Sequence, residues 1–172
     1  MRRFSRSHKR FRRRASPLFW ILPAAVALII LVLRLTFFHT VRIEGSSMEN
    51  SLRSGDIALV TCMTGEPQRG DILECRFPGR SGTYVKRLIG LPGEHVEIKN
   101  GITYVNDQAV PEPYLTSYPE AYSVLLNEDE YLVLGDNRAE SYDSREEDMG
   151  PISKEDIIGR VRFVLWPPRS IN

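Results

Sequence analysis

The chain has 172 residues, 42% of them apolar and 26% charged, enough for one domain with a real core plus a short appendage. Its formal charge of +1 hides an asymmetry: eight of the 23 lysines and arginines lie within the first 14 positions, and no acid precedes Glu44. From Ala15 onward 15 basic residues face 22 acidic ones, a net charge of about −7 that argues against a general nucleic-acid binder.

Residues 1–16 form a basic tail, and residues 17–38 read as a transmembrane anchor. Leu18 to Phe38 is a run of about 21 residues with one charge, Arg34, and a helical length of roughly 30 Å, which spans a bilayer. Arg34 lies near one end, where its stem can carry the guanidinium to the headgroups, and Pro23 lies near the other, where a kink is tolerated. The basic tail predicts a cytoplasmic N-terminus and an outward-facing remainder, a single-pass type II orientation. A cleavable leader also combines a basic start with an apolar run. This run is longer than a usual leader core, and the following FFHTVRIEG offers no pair of small residues at cleavage spacing. Nuclear targeting is a second reading of the tail, but the adjoining apolar run makes membrane lipids the closer partner.

Residues 39–172 read as one mainly β domain, a folded antiparallel sheet with barrel-like character. Strands are expected at 40–44, 56–61, 71–77, 83–89, 95–99, 103–105, 131–134 and 159–165, with a type I′ hairpin turn at Asn100-Gly101. The stretch 108–127, with Pro111, Pro113 and Pro119, reads as a surface loop. Ser153 to Ile157 reads as one helical turn, with Ser153 as N-cap and Asp156 as its third-position partner. Phe163 and Trp166 either touch a bilayer surface or pack into the core, and core packing is the favoured reading. Cys62 and Cys75 make a poor zinc site, so no metal and no cofactor is expected. They either pair across neighbouring strands or stay as buried thiols.

Three turn-rich segments concentrate reactive side chains: GSSMENSL at 45–52, TYVKRLIGLPGE at 83–94 and GDNRAESYDSR at 135–145. A nucleophilic serine needs a base. His8 lies in the tail and His39 at the anchor's edge, leaving His95 alone in the outer domain, which strains a Ser-His-Asp arrangement. A lysine can serve if burial makes it neutral. Lys9 lies in the tail, Lys99 beside the Asn-Gly turn and Lys154 in an acidic segment; Lys86 lies inside an apolar strand. Alternation puts Tyr84, Lys86 and Leu88 on one face and Val85, Arg87 and Ile89 on the other. Lowering Lys86 from roughly 10.4 toward neutrality takes about 3 to 4 kcal/mol of environment. A surface lysine guarding an edge strand is the competing reading, and composition alone favours it.

Side by side, the anchor and the three segments resemble the bacterial type I signal peptidases, also called leader peptidases. That family carries S-M-x-P-T-L, matched by Ser47-Met48-Glu49-Asn50-Ser51-Leu52 and followed by Gly55-Asp56. Its lysine precedes Arg in a strand leading to G-x-P-G-[DE], matched from Lys86-Arg87 to Gly90-Leu91-Pro92-Gly93-Glu94. Its G-D-N-R-x-x-S-x-D-S-R is matched by Gly135-Asp136-Asn137-Arg138, Ser141 and Asp143-Ser144-Arg145. Asn50 and Ser51 stand where the family has Pro and Thr. Serine keeps the hydroxyl, whereas loss of proline frees a donor and loosens the backbone.

The resemblance implies a membrane-bound serine endopeptidase of the bacterial plasma membrane that cuts exported preproteins after Ala-x-Ala sites, near the secretion translocon. It implies Ser47 as nucleophile and Lys86 as general base, Ser141 orienting the lysine, and the Ser47 N–H with Gly45 forming the oxyanion hole. Asp143 and Arg145 are expected to form an ion pair that holds the Ser141 loop, with Asp136 as another candidate partner. Ile43 and Val85 would line shallow pockets for small residues, or serve as ordinary core. A self-cleaving repressor with a Ser-Lys pair is disfavoured by the anchor. A non-catalytic surface-assembly factor of the same fold would keep the fold while losing the Ser or the Lys, and both are present.

Overall fold

A computed structural model describes residues 18–62, 65–115, 117 and 119–171, without the side chains of residues 18, 19, 33, 35 and 36. The expected basic tail lies outside the described residues. The chain divides into two units, residues 1–36 and 37–172.

The first unit carries helix α1, Leu18–Phe37, whose 20 residues of mostly Leu, Ile, Val and Ala keep a helix despite Pro23 near its start. Arg34 sits in its last turn, where a cation complements the helix dipole. As a backbone element α1 is about 30 Å long. Its unbroken run of described side chains is Trp20–Val32, and among the described residues no helix is long and apolar enough to cross a membrane.

The second unit is antiparallel β structure. Its strands are β1 (Phe38–Arg42), β2 (Ile57–Cys62), β3 (Ile72–Cys75), β4 (Tyr84–Gly90), β5 (His95–Lys99), β6 (Ile102–Val105), β7 (Gln108–Ala109), β8 (Tyr122–Leu125), β9 (Glu130–Leu134), β10 (Ile152–Ser153) and β11 (Ile157–Trp166). They form a seven-stranded sheet ordered β1-β2-β11-β3-β4-β9-β10 and a four-stranded sheet ordered β7-β6-β5-β8. Register shifts interrupt β11 at three places and β4 between Leu88 and Gly90. Each such bulge bends and twists its strand, which curls the larger sheet on itself.

Alternation along the strands divides the apolar residues among three clusters. Leu73 and Cys75 of β3 join Phe77, Leu88 and Val133, whereas Ile72 joins Ile43, Met48, Leu52, Val60 and Val161. Ile89 turns the other way from Leu88 and packs with Val96, Ile98 and Leu132 beneath the smaller sheet. The nucleophile segment thus lies over the second cluster and Lys86 over the first.

Asn100 and Gly101 have the positive φ angles, 53° and 77°, that the expected hairpin turn requires. The helical turn forms at Lys154–Asp156, and the Asp156 carboxylate accepts from the Ser153 backbone N–H at 2.9 Å. Two expectations need correction. The stretch 108–127 is not all loop: it contains β7 and β8, and β8 pairs with β5 over four residues, closing the smaller sheet. Phe163 and Trp166 do not pack into the core; they are 61% and 65% exposed, while Val164 between them is buried. Cys62 and Cys75 form no disulfide. Their strands flank β11 rather than each other, and two strand spacings of about 4.8 Å exceed a disulfide's reach. Burial pushes the Cys75 thiol up to about 12, so it is an inert core residue.

Candidate active site

The segment after β1 turns sharply because its backbone is paired at both ends. Ile43 N–H donates to the Asp56 carbonyl at 2.8 Å, and Gly55 N–H returns to the Ile43 carbonyl at 2.9 Å. Inside this closed loop Met48 and Leu52 drop into the second core cluster, joined by the Leu52 N–H to Met48 carbonyl bond at 2.8 Å. With Met48 held down, the preceding Ser47 faces the surface groove. Gly45 adopts φ +86°, a conformation that a side chain disfavours, and has open space around its missing Cβ. The Ser47 carbonyl accepts from the Asn137 N–H at 3.0 Å, so the 135–145 segment holds the turn from behind. A Cβ on Gly135 would stand 2.5 Å from that carbonyl oxygen and would collide with the Ser141 hydroxyl, so only glycine lets the two segments meet.

Lys86 sits in β4 opposite Leu73 and is 3% exposed. Its Nζ donates to Ser141 Oγ at 3.0 Å. Burial pushes the Lys86 ammonium below the ordinary lysine range, against the opposing pull of the Asp143 carboxylate. Burial would raise Asp143, but the Arg145 guanidinium, the Gly135 N–H and the Ser141 hydroxyl outweigh it and hold the carboxyl below its usual range. Arg145 Nε meets Asp143 Oδ1 at 2.9 Å, and its Nη2 donates to the carbonyls of Arg138 and Ser141 at 2.8 and 3.2 Å. The expected ion pair therefore closes the loop that carries Ser141.

Asp136, the other candidate partner in that loop, pairs with Arg87 instead. Arg87 Nε and Nη2 meet Asp136 Oδ1 and Oδ2 at 2.8 and 2.7 Å, and Ser51 Oγ donates to Oδ2 at 2.5 Å. Arg87 also reaches the Gly70 carbonyl at 3.0 Å and lies 3.9 Å from the centre of the Tyr114 ring. The reason is alternation: Arg87 leaves β4 on the face opposite Lys86, where the Ser51 turn and Asp136 converge. Asn50, at φ +92°, donates to the Tyr114 carbonyl at 3.0 Å, so the loosening expected from loss of proline is countered by a new tie.

Val41, Ile43, Gly45, Ser47, Val85 and Lys86 are among the residues lining a pocket of about 330 Å³. One wall continues β1, which is the end strand of its sheet and pairs with β2. The other wall is the first half of β4, before β9 pairing begins at Arg87. Two open backbone edges facing one groove can accept an extended peptide. Ile43 and Val85 belong to the second core cluster and to this groove at once. A serine beside such a groove, with a buried lysine whose pKa burial lowers, is an arrangement that can attack a peptide carbonyl.

Residues 17–166 match the model of a family described as signal peptidase, peptidase S26. The chain belongs to the signal peptidase family. It is 38% identical over 156 residues to signal peptidase I U of Bacillus subtilis strain 168, covering 83% of each chain. It is 36% identical over 172 residues to signal peptidase IB of Staphylococcus aureus strain COL, covering 86% of this chain and 88% of that one. The crystal structure of a signal peptidase I from Enterococcus faecalis V583 aligns with a TM-score of 0.52 at 32% identity, covering 57% of this chain and 98% of that one.

Sequence reasoning missed several residues that support this signal peptidase's candidate site. Ser51 and Arg87 complete the Asp136 cluster. Arg169 donates to the Ser51 carbonyl at 2.8 Å and pairs with Asp56, tying the C-terminus to the nucleophile turn. Arg138 pairs with Glu112, which also accepts from Thr103 Oγ1 at 2.6 Å and Tyr114 Oη at 2.8 Å. The usable signal was Arg87 itself, since a charged residue inside an apolar strand needs a buried partner.

Proposed function

We propose that this peptidase is a membrane-anchored serine endopeptidase that removes signal peptides from exported preproteins after Ala-x-Ala sites, with Ser47 as nucleophile and Lys86 as general base. The observation that carries the reading is Lys86: a lysine buried in the groove wall it shares with Ser47, its amine on the Ser141 hydroxyl and its pKa lowered by burial. Ser47 Oγ attacks the scissile carbonyl as neutral Lys86 takes its proton. The same amine then protonates the leaving nitrogen, and water resolves the acyl-enzyme. The Ser47 N–H donates to the oxyanion, and Gly45 leaves room beside it. Ser141 positions the amine, and Asp143 with Arg145 positions Ser141. Ile43 and Val85 limit the adjoining subsite to small side chains by exclusion. Helix α1 serves as the anchor of a single-pass type II protein of the bacterial plasma membrane, with the basic tail cytoplasmic and membrane lipids and the translocon as neighbours.

The test is cleavage of an exported precursor by the full-length protein in detergent or liposomes. Ser47→Ala and Lys86→Ala each lower the rate by about 10⁴-fold or more. Normal cleavage by the Lys86→Ala protein would refute the mechanism, and an inactive parent chain would favour the assembly-factor reading.

A further inference from the structure

Arg42 and Glu44 line the groove together with the apolar residues they alternate with. Val41 is half-buried and Ile43 buried, whereas Thr40, Arg42 and Glu44 are exposed, so β1 and its extension present an apolar inward side and a polar outward one. Across the sheet from Arg42 the register partner is Ile57, and Ile57 pairs in turn with Trp166, so exposed apolar side chains and no carboxylate continue that row. Among the described residues the Arg42 guanidinium has neither an ion-pair nor a hydrogen-bond partner, whereas Arg69, Arg87, Arg145 and Arg160 each meet a carboxylate. Glu44, two residues on, is the neighbouring charge along the chain and does not pair with it. An uncompensated cation thus stands on the lip of the groove.

An extended peptide added to the free edge of β1 continues the alternation of that strand. With the residue before the cut between Ile43 and Val85, beside Ser47, the peptide runs back along Val41, and the two small residues of an Ala-x-Ala site face inward with Ile43 and Val41. The middle residue then turns outward, to the side where Arg42 stands. The geometry points to Arg42 as a specificity-determining residue that reads charge at this middle position, favouring a carboxylate side chain and disfavouring a cationic one. This rests on the proposed cleavage reading and deepens it. The outward side is exposed at Thr40, Arg42 and Glu44, so it sets no limit on the size of the middle side chain, and charge is the property left to discriminate. A carboxylate there meets the donor fork of a guanidinium that no other acid occupies, whereas a lysine meets a like charge.

The experiment uses full-length enzyme in detergent and precursors that keep both alanines of the site and differ only between them, carrying Asp, Asn, Ala or Lys. At low ionic strength the wild type is expected to prefer Asp to Lys by about fivefold in kcat/KM, with Asn and Ala between them. The preference shrinks toward unity at about 1 M salt, as an exposed charge pair requires. Arg42→Gln flattens the ranking and Arg42→Glu inverts it, while both variants cleave the Ala precursor at the wild-type rate. Glu44→Gln leaves Asp ahead of Lys. An Asp preference that survives Arg42→Glu belongs to the field of the whole domain and overturns the proposal. So does a fall that is equal for all four precursors, which marks Arg42 as part of the wall. A wild type that cleaves the Ala precursor but ranks Asp no higher than Lys sinks this inference alone, whereas one that cleaves no precursor sinks the cleavage reading with it.

Discussion

Lys86 and Arg87 are consecutive cations on one strand, both buried, and the protein treats them in opposite ways. Arg87 is given a bidentate carboxylate, a hydroxyl, a carbonyl and an aromatic face. Lys86 meets a hydroxyl, and the nearby carboxylate of Asp143 is already engaged by Arg145 and the Gly135 N–H. Guanidinium cannot shed its proton, so its burial requires a counter-charge; an amine can, so burial without a direct ion pair lowers the Lys86 pKa. One face of β4 thereby carries a buried ion-pair cluster and the other the lysine of the candidate site.

The largest expected effect comes from erasing the difference. Lys86→Arg puts a permanent charge where none is compensated, and precursor-cleavage assays are expected to record a loss of about 10⁴-fold in kcat. On the other face, Asp136→Ala strands the Arg87 charge and is expected to cost about 3 to 5 kcal/mol in urea unfolding. The same measurement on Lys86→Met sharpens the contrast through its pH dependence. A lysine whose folded pKa is lowered binds fewer protons folded than unfolded, so wild-type stability rises with pH between the lowered value and roughly 10.4, and Lys86→Met removes that slope. Asp143 favours the ammonium form, so Asp143→Asn should move the alkaline-rising limb of the rate profile to lower pH. The smallest effect is at the turn between the two faces. Asn50→Pro, forced from φ +92° to about −65°, is expected to destabilise by about 1 to 3 kcal/mol, whereas Asn50→Gly keeps the backbone and loses only the Tyr114 bond.

Legibility followed the range of the interactions involved. Most strands were readable from short β-branched runs, and the Asn100-Gly101 turn from residues that tolerate positive φ. β8 escaped because the prolines before it read as loop, while its pairing with β5 is decided from outside the segment. Asp143 with Arg145 was legible because the partners are two residues apart. Asp136 was legible only as another candidate partner in that loop, because Arg87, which it meets, lies 49 positions away in the chain.

By itself, then, the chain determined the β character and the apolar N-terminal run, which rest on composition and alternation, and it singled out Ser47 and Lys86 as candidates through the resemblance carried by three local motifs. Only the tertiary structure decided which face of β4 meets Asp136 and which meets Ser141. It also decided that Phe163 and Trp166 stay outside the core, and that Glu74 of β3 meets His39 of β1. Those outcomes depend on how a bulged sheet curls, and curling brings together residues whose separation in sequence carries no trace of their contact.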